Sequence, residues 1–414
     1  MSETFYHILS NGLKIVHRTT SSPVVYVGLM VGAGTRHELP NENGMAHYIE
    51  HCLFKGTTHY TARQLINHIE GIGGEINAYT TKEETTFYAA TLRQHFRTTL
   101  HLLADMVLRP TFQKKETDKE VTVILDEIES YNDSPSELIY DDFENMIFEG
   151  NSLAMPILGT KKTLKRISAS ADHPLQWMQQ HYNPDRMVLF VLGNVTPRQV
   201  IAAAERELGE SVVSTYTRTA HSNKVPPLSL QPGGERTFKR HTHQTHIMLG
   251  AHAYPIGHPK QLTMFLLNSI LGGGSMSSRL YLSLRERYGL VYNVDSQATP
   301  LSDTGYWNIY LACEPQNKDH CLELCHKELQ LLRENKLSSA QLQRALRQLE
   351  GQLAISAENQ ENSALAMSKQ MLYHNRAPLW NETFAKLRLI TPDQLQEVAN
   401  EVYATDKIAT LQYA

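Results

Sequence analysis

Thr85-Thr86-Phe87-Tyr88-Ala89-Ala90-Thr91 returns in altered form as Thr304-Gly305-Tyr306-Trp307-Asn308-Ile309-Tyr310, at an offset of 304 − 85 = 219. Both stretches are rich in aromatic and β-branched residues and read as strands, the first over Thr85–Leu92. The same offset sets the apolar run from Val24 to Gly34 beside the stretch from His246 to Pro259. It also sets the helical pattern Gly44–Phe54 beside Leu262–Leu271. Self-similarity at one fixed offset marks an internal duplication. The expected fold is therefore α+β: two homologous domains, each an antiparallel β-sheet packed with α-helices.

Outward from these strands, Met45, Ile49, Cys52 and Leu53 recur at helical spacing, and further helices are expected over Thr61–Glu70, Leu92–Leu108 and Lys115–Tyr131. Met187–Gly193 reads as a short apolar strand, and Thr196-Pro197 as the N-cap and first turn of another helix. Residues 221–234, HSNKVPPLSLQPGG, carry three Pro and two Gly without helical period, the mark of a linker. The expected division is 1–220, linker 221–234, and 235–414.

The chain has 414 residues, 41% hydrophobic and 20% charged, a globular composition that excludes disordered and low-complexity classes. A net charge of −4 makes neither nucleic acid nor an anionic membrane a default partner. Four cysteines are too few for a disulfide scaffold and fit a reducing compartment. The opening MSETFYHILSNGLKIVHR lacks a charged-then-apolar signal pattern, and no apolar run approaches 18 residues. A soluble, cytoplasmic protein is expected.

His47-Tyr48-Ile49-Glu50-His51 carries the chemistry. Residues four apart share a helix face, so both imidazoles can converge on one small cation, and Glu50 reaches the same face. Two imidazoles suit zinc, and a catalytic zinc wants a third protein ligand and an open position for water. A carboxylate beside that water can serve as general base. This is HxxEH, the inverse of the common zinc-peptidase helix. Glu120 and Glu127 lie seven apart in EVTVILDE and share a face, with Val121, Ile124 and Ile128 on the neighbouring one. By itself such a pair is ordinarily a solvated acidic face.

With His47–His51 followed by Glu120 and Glu127, the chain resembles the pitrilysin, insulysin and mitochondrial processing peptidase family of inverted-motif zinc peptidases. NGLKIVHR, GAGTRHE, GMAHYIEHCLFKGT, GGEINAYTTKEETTFYAATL, PILGT, HYNPDRMVLFVLGNV and SSRLYLSLRERYGLVYNV match in order. The resemblance implies one zinc per chain, held by His47, His51 and Glu127, with Glu50 as general base and Glu120 as a supporting carboxylate. It implies that Asn77 and Ala78 lie where a substrate peptide adds as an extra strand. It also implies that Arg285 and Tyr292 contact substrate and stabilise the oxyanion.

At the offset of 219, His47, Glu50 and His51 fall opposite Leu266, Ser269 and Ile270, so the second domain holds no second metal site. The resemblance implies a homodimer closing around a chamber, or a heterodimer with an inactive homologue, acting on short or unfolded peptides. The alternative is a non-catalytic interaction subunit, though such relatives lose part of the zinc set. His241, His243 and His246 read as a solvated edge, and Cys321 as core. Cys52 points off the metal face.

Overall fold

The computed structural model describes residues 4–209, 233–240, 242–377 and 379–414. The chain opens with β1 (Thr4–Ile8), β2 (Lys14–Thr19), β3 (Val24–Val31), α1 (Met45–Leu53), α2 (Ala62–Glu70), β4 (Glu75–Thr80) and β5 (Thr85–Leu92). Next come α3 (Phe96–Leu108), α4 (Lys114–Asn132), α5 (Pro135–Ile147), α6 (Lys161–Ile167), α7 (Asp172–His181), β6 (Met187–Gly193) and α8 (Pro197–Leu208). Then follow β7 (Glu235–Phe238), β8 (Thr245–Ala253), α9 (Gln261–Gly272), a π-helical segment (Tyr281–Arg287), β9 (Val291–Pro300) and β10 (Gly305–Cys313). The last elements are α10 (Lys318–Glu334), α11 (Ser339–Glu358), α12 (Gln360–His374), α13 (Trp380–Leu387), α14 (Pro392–Val402) and β11 (Ala409–Tyr413).

Among the described residues, one compact unit holds 4–129, 155–209 and 356–377, and the other 130–154, 233–240, 242–355 and 379–414. The first is built on a six-stranded sheet, β1-β2-β6-β3-β5-β4, and the second on a five-stranded sheet, β7-β11-β8-β10-β9. With β1 set aside, the two orders correspond strand for strand. Each sheet also has one parallel pair at the same place, β2 with β6 and β7 with β11. The sheets are thus antiparallel apart from that pair, which joins strands far apart in sequence and needs no hairpin.

Each sheet is buried on both faces, which explains why β3 and β6 read as nearly unbroken apolar runs. In the first unit Val25, Val27, Leu29 and Phe87 face the core built with α1, α3 and α8. Met30, Tyr88, Val188 and Phe190 meet Ala364, Met367 and Met371 of α12. In the second unit Ile247, Leu249 and Trp307 face the core built with α9, α10 and α14, and Met248, Tyr306 and Leu411 meet Ile139 and Phe143 of α5.

The structure corrects two expectations. The compact units are not the contiguous stretches 1–220 and 235–414, because α5 covers the second sheet and α12 the first. Most of the expected linker, 221–232, lies outside the described residues, and Gly233 and Gly234 lead into β7. The offset also slips by one in the strands: Phe87 and Trp307 both face the sheet's own helices, whereas Phe87 and Tyr306 face opposite sides. In a strand a one-residue slip exchanges the faces.

Candidate metal centre

Helix α1 forms because Met45, Ile49, Cys52 and Leu53 pack into the first core, which turns His47, Glu50 and His51 toward α4. Helix α4 is held to that core by Ile124, with Val121 and Ile128 beside it, and presents Glu120 and Glu127. His47 Nε2 lies 3.8 Å and His51 Nε2 3.6 Å from Glu127 Oε2. One ligand atom from each of the three residues lies within 4.8 Å of the others. Two ligand atoms about 2.1 Å from a shared ion at the tetrahedral angle stand about 3.4 Å apart, so the trio fits a small divalent cation. Among the described residues this is the one such group of three or more.

The surroundings favour the cation-binding forms of His47 and Glu127. Burial, and His51 beside it, push the His47 pKa down to about 4 against the pull of Glu127, so its ring is neutral near pH 7. Burial would lower His51 too, but Glu127 and Glu120 raise it overall. His51, with its Nε2 3.6 Å away, holds the Glu127 carboxyl below the usual range. Glu120, which is buried, accepts from His51 Nδ1 at 3.2 Å and from Lys55 Nζ at 2.8 Å. This is the carboxylate–histidine arrangement that fixes a ligand ring's tautomer and orientation. Ligation requires both imidazoles neutral, and in that state the Lys55 ammonium against the carboxylates of Glu50, Glu120 and Glu127 leaves two negative charges, which a divalent cation offsets.

Glu50 Oε2 accepts a 2.6 Å hydrogen bond from the Thr80 hydroxyl at the end of β4. Burial raises the Glu50 carboxyl, opposed by Thr80 and His51. Strand β4 is the edge of its sheet and pairs with β5 through Asn77↔Tyr88 and Ala78↔Phe87. Among the described residues, Asn77 and Ala78 therefore sit on a strand with one unpaired side, and that strand ends at the hydroxyl that holds Glu50.

Arg285 and Tyr292 belong to the second unit. Arg285 Cζ lies 4.9 Å from the Tyr281 ring and 5.1 Å from the Tyr292 ring, so its guanidinium is held between two aromatic faces. Tyr292 is 82% exposed at the start of β9.

Lys55 and Thr80 are not among the residues expected from the sequence. Lys55 stands four residues after His51, a helical spacing that could have revealed it. Thr80 meets Glu50 only through the fold. The reading of the second histidine cluster also changes. His246 is not on a solvated edge, since β8 lies inside its sheet and His246 Nδ1 bonds the Tyr310 hydroxyl at 2.9 Å. His243 is exposed, and His241 lies outside the described residues. Cys52 and Cys321 are core residues, as expected.

Comparison with known proteins bears on this geometry. Residues 14–161 match the insulinase family, peptidase family M16, and residues 168–349 match the peptidase M16 inactive domain. An uncharacterized zinc protease of Bacillus subtilis is 31% identical over 402 residues, covering 96% of this chain and 95% of its own. The chain belongs to peptidase family M16. The mitochondrial-processing peptidase subunit beta of Bos taurus is 27% identical to this M16 chain over 412 residues, covering 98% of it and 83% of that subunit. A crystal structure of a protease from Helicobacter pylori shares the M16 fold, with a TM-score of 0.88 at 19% identity over 100% of this chain and 99% of that one. No helix among the described residues is long and apolar enough to cross a membrane.

Proposed function

We propose that this M16 chain is a zinc-dependent endopeptidase of the inverted-motif type, acting on short or unfolded peptides. The observation that carries the proposal is the convergence of His47, His51 and Glu127, with Glu50 beside them and fixed by Thr80. His47, His51 and Glu127 would hold one zinc, with Glu120 and Lys55 orienting His51. Zinc, when bound, polarises a carbonyl and makes a nucleophile of water near neutral pH. Glu50 takes the proton of the attacking water and passes it to the leaving amine. Thr80 occupies one Glu50 oxygen, so the other is available for that transfer. A peptide added along the free side of β4 at Asn77 and Ala78 is held through its main chain, which tolerates varied sequences. The complete ligand set disfavours a non-catalytic interaction subunit.

Mass spectrometry of a digested mixed-peptide library tests this reading. Internal cleavages are expected that vanish with chelator and return with zinc. No cleavage by zinc-loaded protein, or cleavage indifferent to chelator, contradicts it.

We further place the chain in the cytoplasm on its sparse cysteines, and as a homodimer in which Arg285 and Tyr292 serve the partner's site. Arg285 would hold a substrate carbonyl, and the Tyr292 hydroxyl would donate to the developing oxyanion. Mixing inactive Glu50→Gln and Tyr292→Phe chains should then restore about a quarter to a half of wild-type activity on subunit exchange. In such a heterodimer one site carries both lesions and the other none. No recovery in verified heterodimers puts the pair in cis or outside catalysis, and a heterodimer with an inactive homologue would show as a chain inactive by itself.

A further inference from the structure

Helix α1 begins without a cap of its own. Its N-cap residue is Gly44, at φ +92°, and it offers no side chain to the free N–H groups of the first turn. None could be fitted there, since a Cβ on Gly44 would lie 2.8 Å from Gly159 Cα and 2.9 Å from Leu158 O. Other helices of this chain solve the problem locally. Thr61, Thr160, Thr196 and Thr391 each accept a backbone N–H at the start of α2, α6, α8 and α14. Helix α1 instead receives a carboxylate from upstream. Glu38 Oε2 accepts Gly44 N–H at 2.8 Å, and Oε1 accepts Ala46 N–H at 2.8 Å. Asn43 Nδ2 donates to the same Glu38 Oε2 at 3.2 Å and to Pro156 O at 2.8 Å, tying the assembly to a second loop. Glu38 is only 4% exposed, while Leu39 at the loop tip between it and the helix is 55% exposed.

We propose that Glu38 is a positioning residue for the metal: its carboxylate supplies the cap that Gly44 cannot, and so fixes the register in which His47 and His51 meet Glu127. Ala46, whose N–H it holds, directly precedes His47. Side-chain oxygens placed at a helix N-terminus satisfy N–H groups that burial would otherwise leave unpaired. Both oxygens of Glu38 accept from N–H donors, so a carboxamide at this position would turn an N–H donor toward the Gly44 and Asn43 donors or toward Ala46.

This inference rests on the reading that His47 and His51 hold the metal, and the test separates the two. Zinc affinity of the full chain is measured by competition with a chromophoric chelator, together with the visible spectrum of the cobalt-substituted protein and Tm. Glu38→Gln is expected to weaken zinc binding about tenfold, as loss of a group orienting ligands does, and to shift the cobalt spectrum. Thr61→Ala, which removes the cap of α2, is expected to lower Tm while leaving zinc affinity and spectrum unchanged. If Glu38→Gln lowers Tm and leaves both metal readouts at wild-type values, the cap is structural only and the inference is overturned. A wild-type chain that takes up no zinc removes the metal reading itself, and this inference with it. Should Glu38→Gln fail to fold, Asn43→Ser removes the side-chain amide that steadies Glu38. About threefold weaker zinc binding is then expected, and unchanged affinity overturns the inference.

Discussion

Glu50→Gln is expected to leave the chain folded and zinc-loaded while lowering peptide turnover by at least about 10²–10⁴-fold, the usual worth of a general base. The substitution is nearly isosteric, and the carboxamide oxygen still accepts the Thr80 hydroxyl that Glu50 Oε2 accepts at 2.6 Å. What disappears is the capacity to take a proton. Burial already raises the Glu50 carboxyl, so its protonated form costs less than that of an exposed carboxylate, as suits a group that must hold a proton between two steps. The steady-state kcat and the zinc content of the same preparation check the expectation. A variant that loses its zinc along with its activity shows Glu50 to be a ligand, which contradicts its role as general base.

His47→Ala/His51→Ala is expected to reduce bound zinc from about one per chain to background. The paired change removes both nitrogen donors and leaves Glu127, 38% exposed at its side chain, as the one remaining member of the trio. The two other carboxylates do not replace them: Glu120 is engaged by Lys55 at 2.8 Å, and Glu50 is tied to Thr80. The fold should survive, because α1 is anchored through Met45, Ile49, Cys52 and Leu53 in the core, and neither histidine belongs to that apolar set. Elemental analysis with a thermal melt reads both outcomes. Near-stoichiometric zinc in the folded variant moves the metal elsewhere.

Local features were legible in the sequence and non-local ones were not. Strands β5 and β6 coincide with the expected Thr85–Leu92 and Met187–Gly193. Helix α1 falls inside the expected Gly44–Phe54, because its apolar period records a single buried face. The duplication showed as a repeated strand, and the strand orders bear it out. Helices α5 and α12 have apolar faces too, but period alone does not say which sheet a helix covers, and so contiguous domains were expected. The strand offset of 219 misses by one because residue similarity does not reveal which side of a sheet a residue faces. At the site, the HxxEH spacing set His47, Glu50 and His51 on one helix face, whereas Glu127 as their partner came from the family resemblance, since the spacing of Glu120 and Glu127 alone fits a solvated face equally well. Thr80 and Glu38 reach α1 from a strand end and a loop, contacts that no spacing rule encodes.

We propose that a zinc held by His47, His51 and Glu127 makes this chain a peptidase. Titrating the metal-free protein with zinc while following hydrolysis of an internally quenched peptide tests it most directly. The expected result is no hydrolysis at the start, a linear rise with added zinc, and a plateau at about one equivalent per chain. Full activity in the metal-free chain, or bound zinc at one equivalent with no hydrolysis, would contradict it.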